Sequence, residues 1–197
     1  GSGVLVQKEL GIEEVGALDV RNQCSGFIYS ISVADNFIKS GMYKNVIVIG
    51  SEIHSSGLDM TTRGRNVSVI FGDGAGAVVM TPEEDSKKGI LTTNLHCQGE
   101  YAEELAVIHP GSSGDERLTK EMIDNGDVYP YMNGNFVFKH AVTRMPEAIV
   151  EALKTTGKSI EEVDLVIPHQ ANARITEFVA RTFKLPPEKV VSNIHKY

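Results

Sequence analysis

The chain has 197 residues, of which 41% are hydrophobic and 23% charged, a composition typical of a globular protein with one domain or two small ones. The net charge is -7 and the basic residues are scattered, which argues against a nucleic-acid-binding protein, so an anionic ligand would need a local basic site. No apolar run approaches the roughly 18 residues of a membrane span, and the N-terminus does not resemble a secretory signal. The two cysteines show no metal-type spacing, so we expect a cytoplasmic protein with neither a metal site nor a disulfide framework.

The first 50 residues predict a helix, a strand, a second helix and a second strand. A short helix over residues 4–10 is expected to end at Gly11, and a strand over 17–20 leads through polar residues to Cys24. Apolar residues then recur at helical spacing as far as Gly41, and the β-branched run 45–50 is typical of a strand buried on both faces. Cys24 is therefore expected at a strand-to-helix turn, where the helix N-terminus favours a thiolate. The alternative is a small buried hydrophobic residue, as most unpaired cysteines are.

A glycine-rich stretch, G-D-G-A-G-A, follows at residues 72–77. We expect a strand over 67–71, a bend over the glycines and a returning strand over 78–81. Because no helical pattern follows the bend, it offers no helix N-terminus for a pyrophosphate, and a nucleotide-binding loop is disfavoured. The structural alternative is a close approach of two backbones that leaves no room for side chains.

The charged stretch 82–88 marks the clearest boundary and divides the chain into an N-terminal half, residues 1–85, and a C-terminal half, residues 86–197. The second half predicts a strand over 89–96 and a long polar segment over 97–131. A helix from residue 135 is expected to kink or restart at Pro146. A buried strand over 163–167 leads to a polar turn with His169, and a last helix covers 173–183.

Cys24 and His169 each follow a predicted strand, where ligands gather in α/β sheets. A thiol and an imidazole at one site supply a nucleophile and a proton donor or acceptor, as acyl-thioester chemistry requires. The alternative for His169 is a structural hydrogen-bonding residue.

Four motifs occur in this order along the chain: N-Q-C-S-G-F, F-G-D-G-A-G-A, M-N-G-N-F-V-F and V-I-P-H-Q-A-N-A-R-I. Together they resemble 3-oxoacyl-[acyl-carrier-protein] synthase III, the initiating condensing enzyme of fatty acid synthesis, over essentially the whole chain. The resemblance implies an α/β thiolase-like fold, with two similar halves in five layers, and a homodimer. Since motifs are missing at both ends, we expect this chain to be the middle of a longer synthase, too incomplete to catalyse condensation by itself.

The resemblance implies roles for individual residues. Cys24 corresponds to the nucleophile that an acyl-CoA acylates, and its N–H to one oxyanion donor. His169 corresponds to the residue that stabilises the enolate formed when malonyl-acyl carrier protein loses carbon dioxide. Arg65 corresponds to the arginine that holds the nucleotide end of CoA, with Arg63 as the alternative. The remaining implied CoA- and carrier-protein-binding residues are Met132, Gly134, Asn135, Phe138, Ala171, Asn172 and Arg174.

The implied reaction is a decarboxylative condensation that needs no cofactor besides the thioester substrates, with acetyl-CoA as the expected donor. The family's third catalytic residue is an asparagine in a G-N-T-S motif, which would lie beyond Tyr197; Asn193 does not take its place. Two alternatives remain open: a condensing enzyme of secondary metabolism with another donor and acceptor, and a non-catalytic homologue.

Overall fold

The computed structural model describes residues 1–85 and 87–196, and the chain forms two compact units. Unit 1 consists of Gly1–Gly50 and Gly76–Ile90, and unit 2 of Ser51–Ala75 and Leu91–Tyr197. The division passes through strands β1 (Val46–Glu52) and β2 (Gly74–Met80), which pair with each other in a two-stranded sheet.

Unit 1 contains helices α1 (Ser2–Glu9) and α2 (Gly26–Lys39), both as the sequence predicts. Gly11 and Gly41, which follow them, have positive φ angles of 65° and 75° and allow the chain to turn away. The strand expected over 17–20 is wrong, because residues 15–22 have no regular structure. The side chain of Asp19 accepts a hydrogen bond from Gly3 N–H (2.9 Å). This segment is therefore joined to α1 by a side-chain hydrogen bond and not by strand pairing.

Strand β1 confirms the strand predicted over 45–50, but not its burial on both faces. Val48 is only 4% exposed, whereas its neighbours Ile47 and Ile49 are 48% and 40% exposed. The alternation of buried and exposed residues is typical of a strand with one covered face.

The start of unit 2 is helical where a strand was expected over 67–71. A 3-10 turn, Thr62–Gly64, runs directly into the short helix α3 (Arg65–Ser68). The buried Asp59 fixes this turn, since its carboxylate accepts hydrogen bonds from the N–H (2.9 Å) and hydroxyl (2.7 Å) of Thr61. The glycine-rich stretch also differs from expectation, because β2 already begins at Gly74.

The segment 97–131 is more regular than its polar composition predicts. Strands β3 (Leu105–Ala106) and β4 (Tyr131–Met132) pair antiparallel, with Leu105 opposite Met132 and Ala106 opposite Tyr131. Helix α4 (Lys120–Asn125) lies between them in the chain. The strand expected over 89–96 does not form. Its alternating polar residues bond to Glu151 instead, Asn94 at 3.1 Å and His96 at 2.6 Å.

Helices α5 (Gly134–Thr156) and α6 (Ala173–Thr182) pack against each other, and the buried residues of this pair lie on α6. Helix α5 continues through Pro146 as one helix, so the restart, one of the two outcomes expected there, is not seen. Val179 on α6 is 0% exposed. The strand predicted over 163–167 is reduced to one parallel bridge between Val166 and Val190.

Candidate functional site

Cys24 lies in the middle of a 3-10 turn, Gln23–Ser25, that leads directly into α2. Its thiol is exposed, so the alternative of a buried hydrophobic residue is not supported. The side chains of Asn22 and Ser25 bracket the turn: Asn22 Nδ2 donates to Ser25 Oγ (2.7 Å), and Ser25 Oγ donates to the carbonyl of Asn22 (3.1 Å). Cys24 is thus exposed to solvent in a turn that is closed by the hydrogen bonds between Asn22 and Ser25.

Gln23, immediately before Cys24, has a φ of 42°, in the left-handed region that non-glycine residues rarely adopt. Such strain persists where the surroundings impose it, and it concentrates at functional sites. Ser25 is the N-cap residue of α2, but its side chain does not cap the helix, because its hydroxyl is bonded to Asn22. The positive end of the 14-residue helix therefore follows Cys24 directly, which suits a thiolate or an oxyanion.

His169 follows the Val166–Val190 bridge, in a turn that precedes α6. Its side chain retains solvent contact, while the surrounding protein removes part of its water. This partial burial lowers the pKa of His169 below its ordinary value, and the nearby negative charge of Glu52 opposes the shift. A lowered pKa keeps the imidazole neutral at pH 7, so that one ring nitrogen carries a proton to donate.

The two candidate arginines have different surroundings. Arg63 Nε is paired with the carboxylate of Asp59 at 2.5 Å, and Arg63 Nη1 donates to the carbonyl of Asn125 (3.0 Å) in the last turn of α4. Its guanidinium also lies 5.6 Å from the centre of the Tyr129 ring. Arg65 on α3 is exposed, and its side chain makes no hydrogen bond or ion pair with any residue that the structure describes.

The CoA-binding candidates Met132, Gly134, Asn135 and Phe138 lie where β4 passes into α5. The residue between strand and helix, Asn133, fixes this junction. Its Oδ1 caps α5 by accepting from Phe136 N–H (3.3 Å), and its own N–H donates to Glu104 O (2.8 Å). Helix α3 lies next to β4, so Arg65 and Met132 belong to neighbouring elements.

The last group, Ala171, Asn172 and Arg174, surrounds the start of α6. Asn172 is the N-cap residue, and its Oδ1 accepts from the backbone N–H of Arg174 at 2.9 Å. The Arg174 side chain is exposed in the first turn of the helix. Asn172 therefore has a structural role as the cap of α6, besides the binding role that the resemblance implies.

Unit 2 holds all the candidate site residues except Cys24, which belongs to unit 1. Sequence reasoning missed four features of these segments: the strained backbone of Gln23, the Asn133 cap, the Asn172 cap and the hydrogen bonds of Gln170. The two caps could have been recognised, since asparagine is a common N-cap residue. Among the described residues, no group of His, Cys, Asp and Glu side chains could hold a metal ion, and no helix is long and apolar enough to cross a membrane.

Comparison with known families gives two matches. Residues 18–99 match the model of 3-oxoacyl-[acyl-carrier-protein (ACP)] synthase III, and residues 153–197 match its C-terminal model. A beta-ketoacyl-[acyl-carrier-protein] synthase III from Aquifex aeolicus (strain VF5) is 44% identical over 193 residues, which cover 98% of this chain and 56% of that protein. One from Roseiflexus sp. (strain RS-1) is 39% identical over 194 residues, covering 98% and 57%. The chain thus spans a little over half the length of these relatives.

Solved structures agree with the sequence matches. The Aquifex aeolicus VF5 3-oxoacyl-[acyl-carrier-protein] synthase III superimposes with a TM-score of 0.85 at 43% identity, covering 100% of this chain and 57% of that one. The beta-ketoacyl synthase III of Thermus thermophilus gives 0.82 at 31% identity, covering 100% and 58%. The α/β, thiolase-like fold expected from the sequence is confirmed.

Proposed function

Because the chain belongs to the 3-oxoacyl-[acyl-carrier-protein] synthase III family, we propose that its protein catalyses the condensation that initiates fatty acid synthesis. An acyl-CoA, with acetyl-CoA as the expected donor, would acylate Cys24. Condensation with malonyl-acyl carrier protein would then release 3-oxoacyl-carrier protein and carbon dioxide. The single observation that carries the proposal is the exposed thiol of Cys24 in a bracketed turn before α2.

The first half-reaction needs a thiolate and a stabilised oxyanion. The Cys24 thiolate attacks the thioester carbonyl, and the carbonyl oxygen becomes negative while the tetrahedral intermediate lasts. The backbone N–H of Cys24 and the positive end of α2 supply favourable interactions for that oxygen. The carbon–sulfur bond to CoA then breaks, CoA leaves as a thiolate that takes up a proton, and the acyl group remains on Cys24.

The second half-reaction uses His169. Malonyl-carrier protein loses carbon dioxide, and the electron pair of the broken bond passes into an enolate whose oxygen accepts a hydrogen bond from the neutral imidazole. The enolate carbon attacks the acyl carbonyl on Cys24, and the Cys24 thiolate leaves. Atoms and charge balance without a metal or redox cofactor, so we propose that the thioesters are the only non-protein groups required.

Both substrates are anionic, whereas the chain carries a net charge of -7. We assign the nucleotide end of CoA to the arginines that precede β2. Arg65 is the first candidate because its guanidinium has no protein partner among the described residues. Arg63 is the alternative, since Asp59 holds its guanidinium in place and its side chain is still 51% exposed. Arg174, at the positive end of α6, is proposed to contact the acidic carrier protein.

We further propose a homodimer in the cytoplasm, with residues 1–85 and 86–197 belonging to the two similar halves of the family's fold. Neither a nucleic acid nor a membrane has a role in this reaction.

The test is the intact mass of the full-length protein after incubation with acetyl-CoA. We expect the mass of one acetyl group to be added, and the addition to be lost in Cys24→Ala. Cys97→Ala is the matched control, because Cys97 is the other exposed thiol and should be dispensable. Acylation that persists in Cys24→Ala, or is lost in Cys97→Ala, would contradict the proposal. A preference for another acyl-CoA would favour a related condensing enzyme with a different donor. Full biological activity of Cys24→Ala would favour a non-catalytic homologue.

A further inference from the structure

The turn that carries His169 is fastened to residues 189–193 by backbone and side-chain hydrogen bonds. Val166 N–H donates to Lys189 O (2.8 Å), and Val191 N–H donates to Val166 O (2.9 Å). These two bonds form a short parallel bridge that ends before His169. The turn itself therefore lies beyond the last backbone pairing of the segment.

Beyond the bridge, the side chain of Gln170 makes the hydrogen bonds that connect the two segments. Its Nε2 donates to Val191 O (3.0 Å) and to Pro168 O (2.9 Å), while its Oε1 accepts from Asn193 N–H (2.8 Å). These partners fix the orientation of the amide. If its nitrogen and oxygen were exchanged, the amide NH₂ would face the N–H of Asn193 and the amide oxygen would face two carbonyl oxygens. Gln170 thus joins the His169 turn to the neighbouring segment from both ends of its amide.

These bonds lie on both sides of His169 in the chain. The bond from Gln170 to Pro168 O closes a ring that includes the backbone of His169, and the other two bonds hold that ring against residues 191–193. His169 itself has no hydrogen bond among the described residues, so the Gln170 bonds act on the backbone from which its imidazole extends.

We propose that Gln170 is a positioning residue for His169, which holds the imidazole where the enolate oxygen forms. The inference rests on the proposed function, because it assigns His169 to the decarboxylation of malonyl-carrier protein. It predicts that the loss of Gln170 impairs decarboxylation while Cys24 is still acylated, because acylation does not use His169.

The test compares two variants of the full-length protein. Gln170→Met keeps the length of the side chain and removes its three hydrogen bonds. Lys189→Met is the matched control, since Lys189 Nζ donates to Val163 O (2.6 Å) and fastens the same segment at its other end. Because a displacement of about 1 Å can lower a rate by about 100-fold, we expect Gln170→Met to decarboxylate malonyl-carrier protein at least ~10-fold more slowly. Lys189→Met should retain both half-reactions.

Amide hydrogen exchange supplies a readout that does not depend on activity. In Gln170→Met, the Asn193 amide should exchange faster because its acceptor is gone, whereas the Val191 amide should keep its protection through Val166.

A Gln170→Met protein that decarboxylates at the wild-type rate would overturn the proposal. Equal losses in both half-reactions, or the same loss in Lys189→Met, would also overturn it, since they would indicate general structural damage. If the wild-type protein itself takes up no acyl group, the proposed function fails, and the exchange experiment alone still decides whether Gln170 fastens the turn.

Discussion

Replacing Gly126 with alanine should destabilise the protein more than the same change at Gly157, although both glycines end a helix. Gly126 follows α4 and Gly157 follows α5, with φ angles of 85° and 65° in the left-handed region. An L-residue in this conformation costs about 1–2 kcal/mol, and alanine recovers part of that by restricting the unfolded chain. Each substitution should therefore cost about 1 kcal/mol from backbone strain alone.

The difference between the two sites is Arg63. A Cβ at Gly126 would lie 2.6 Å from Arg63 Nη1, whereas a Cβ at Gly157 would meet nothing within 4 Å. The guanidinium must then move and give up its bond to Asn125 O at the end of α4. Losing this exposed hydrogen bond adds about 0.5–1 kcal/mol.

Thermal unfolding followed by circular dichroism measures the difference. For a chain of this size, about 1 kcal/mol lowers the midpoint by about 2–4 °C, so we expect that decrease for Gly157→Ala and about 3–8 °C for Gly126→Ala. In an Arg63→Ala background the two glycine substitutions should have equal effects, because the collision is gone. Equal midpoints for Gly126→Ala and Gly157→Ala in the wild-type background would refute the reasoning.

Two further predictions concern the same region. Hydrogen bonds from Thr61 and the pairing with Arg63 lower the pKa of Asp59 from 3.8 to about 2, so its contribution to stability is present above about pH 4 and lost as the pH falls towards 2. The stability difference between wild type and Asp59→Asn, measured by urea unfolding, should shrink over that range, and a constant difference would contradict the assignment. In the full-length protein, Arg65→Ala should raise the KM for acetyl-CoA with little change in kcat, since the nucleotide end takes no part in bond breaking. An unchanged KM in Arg65→Ala with a raised one in Arg63→Lys would transfer this role to Arg63.

The helices were largely predictable from the sequence because their apolar spacing and glycine stops are local signals. Helices α2 and α6 and the start of α5 lie within a few residues of the predicted bounds. The strands were less predictable, because a strand forms only where a neighbour completes its ladder. The apolar run 163–167, which forms a single bridge at Val166, shows this dependence.

The candidate site divides in the same way. Cys24 and His169 could be selected because polar turns before helices are visible in sequence. The bonds of Gln170 to Val191 and Asn193 join residues more than 20 positions apart, and no local pattern reports them. Asp59 and Arg63 are only four residues apart in the sequence, but Arg63 and its acceptor Asn125 in α4 are 62 residues apart. Contacts of this kind appear only once the chain is folded.

The left-handed backbone of Gln23 also limits how this protein can vary during evolution. Valine, isoleucine and threonine crowd the backbone at Cβ and are strongly disfavoured at a φ of 42°, and proline is excluded because its ring fixes φ near -65°. Glycine and asparagine adopt such angles most readily. The position before Cys24 is therefore restricted to glycine and to side chains that are not branched at Cβ, even though Gln23 is exposed and its side chain would otherwise be free to change.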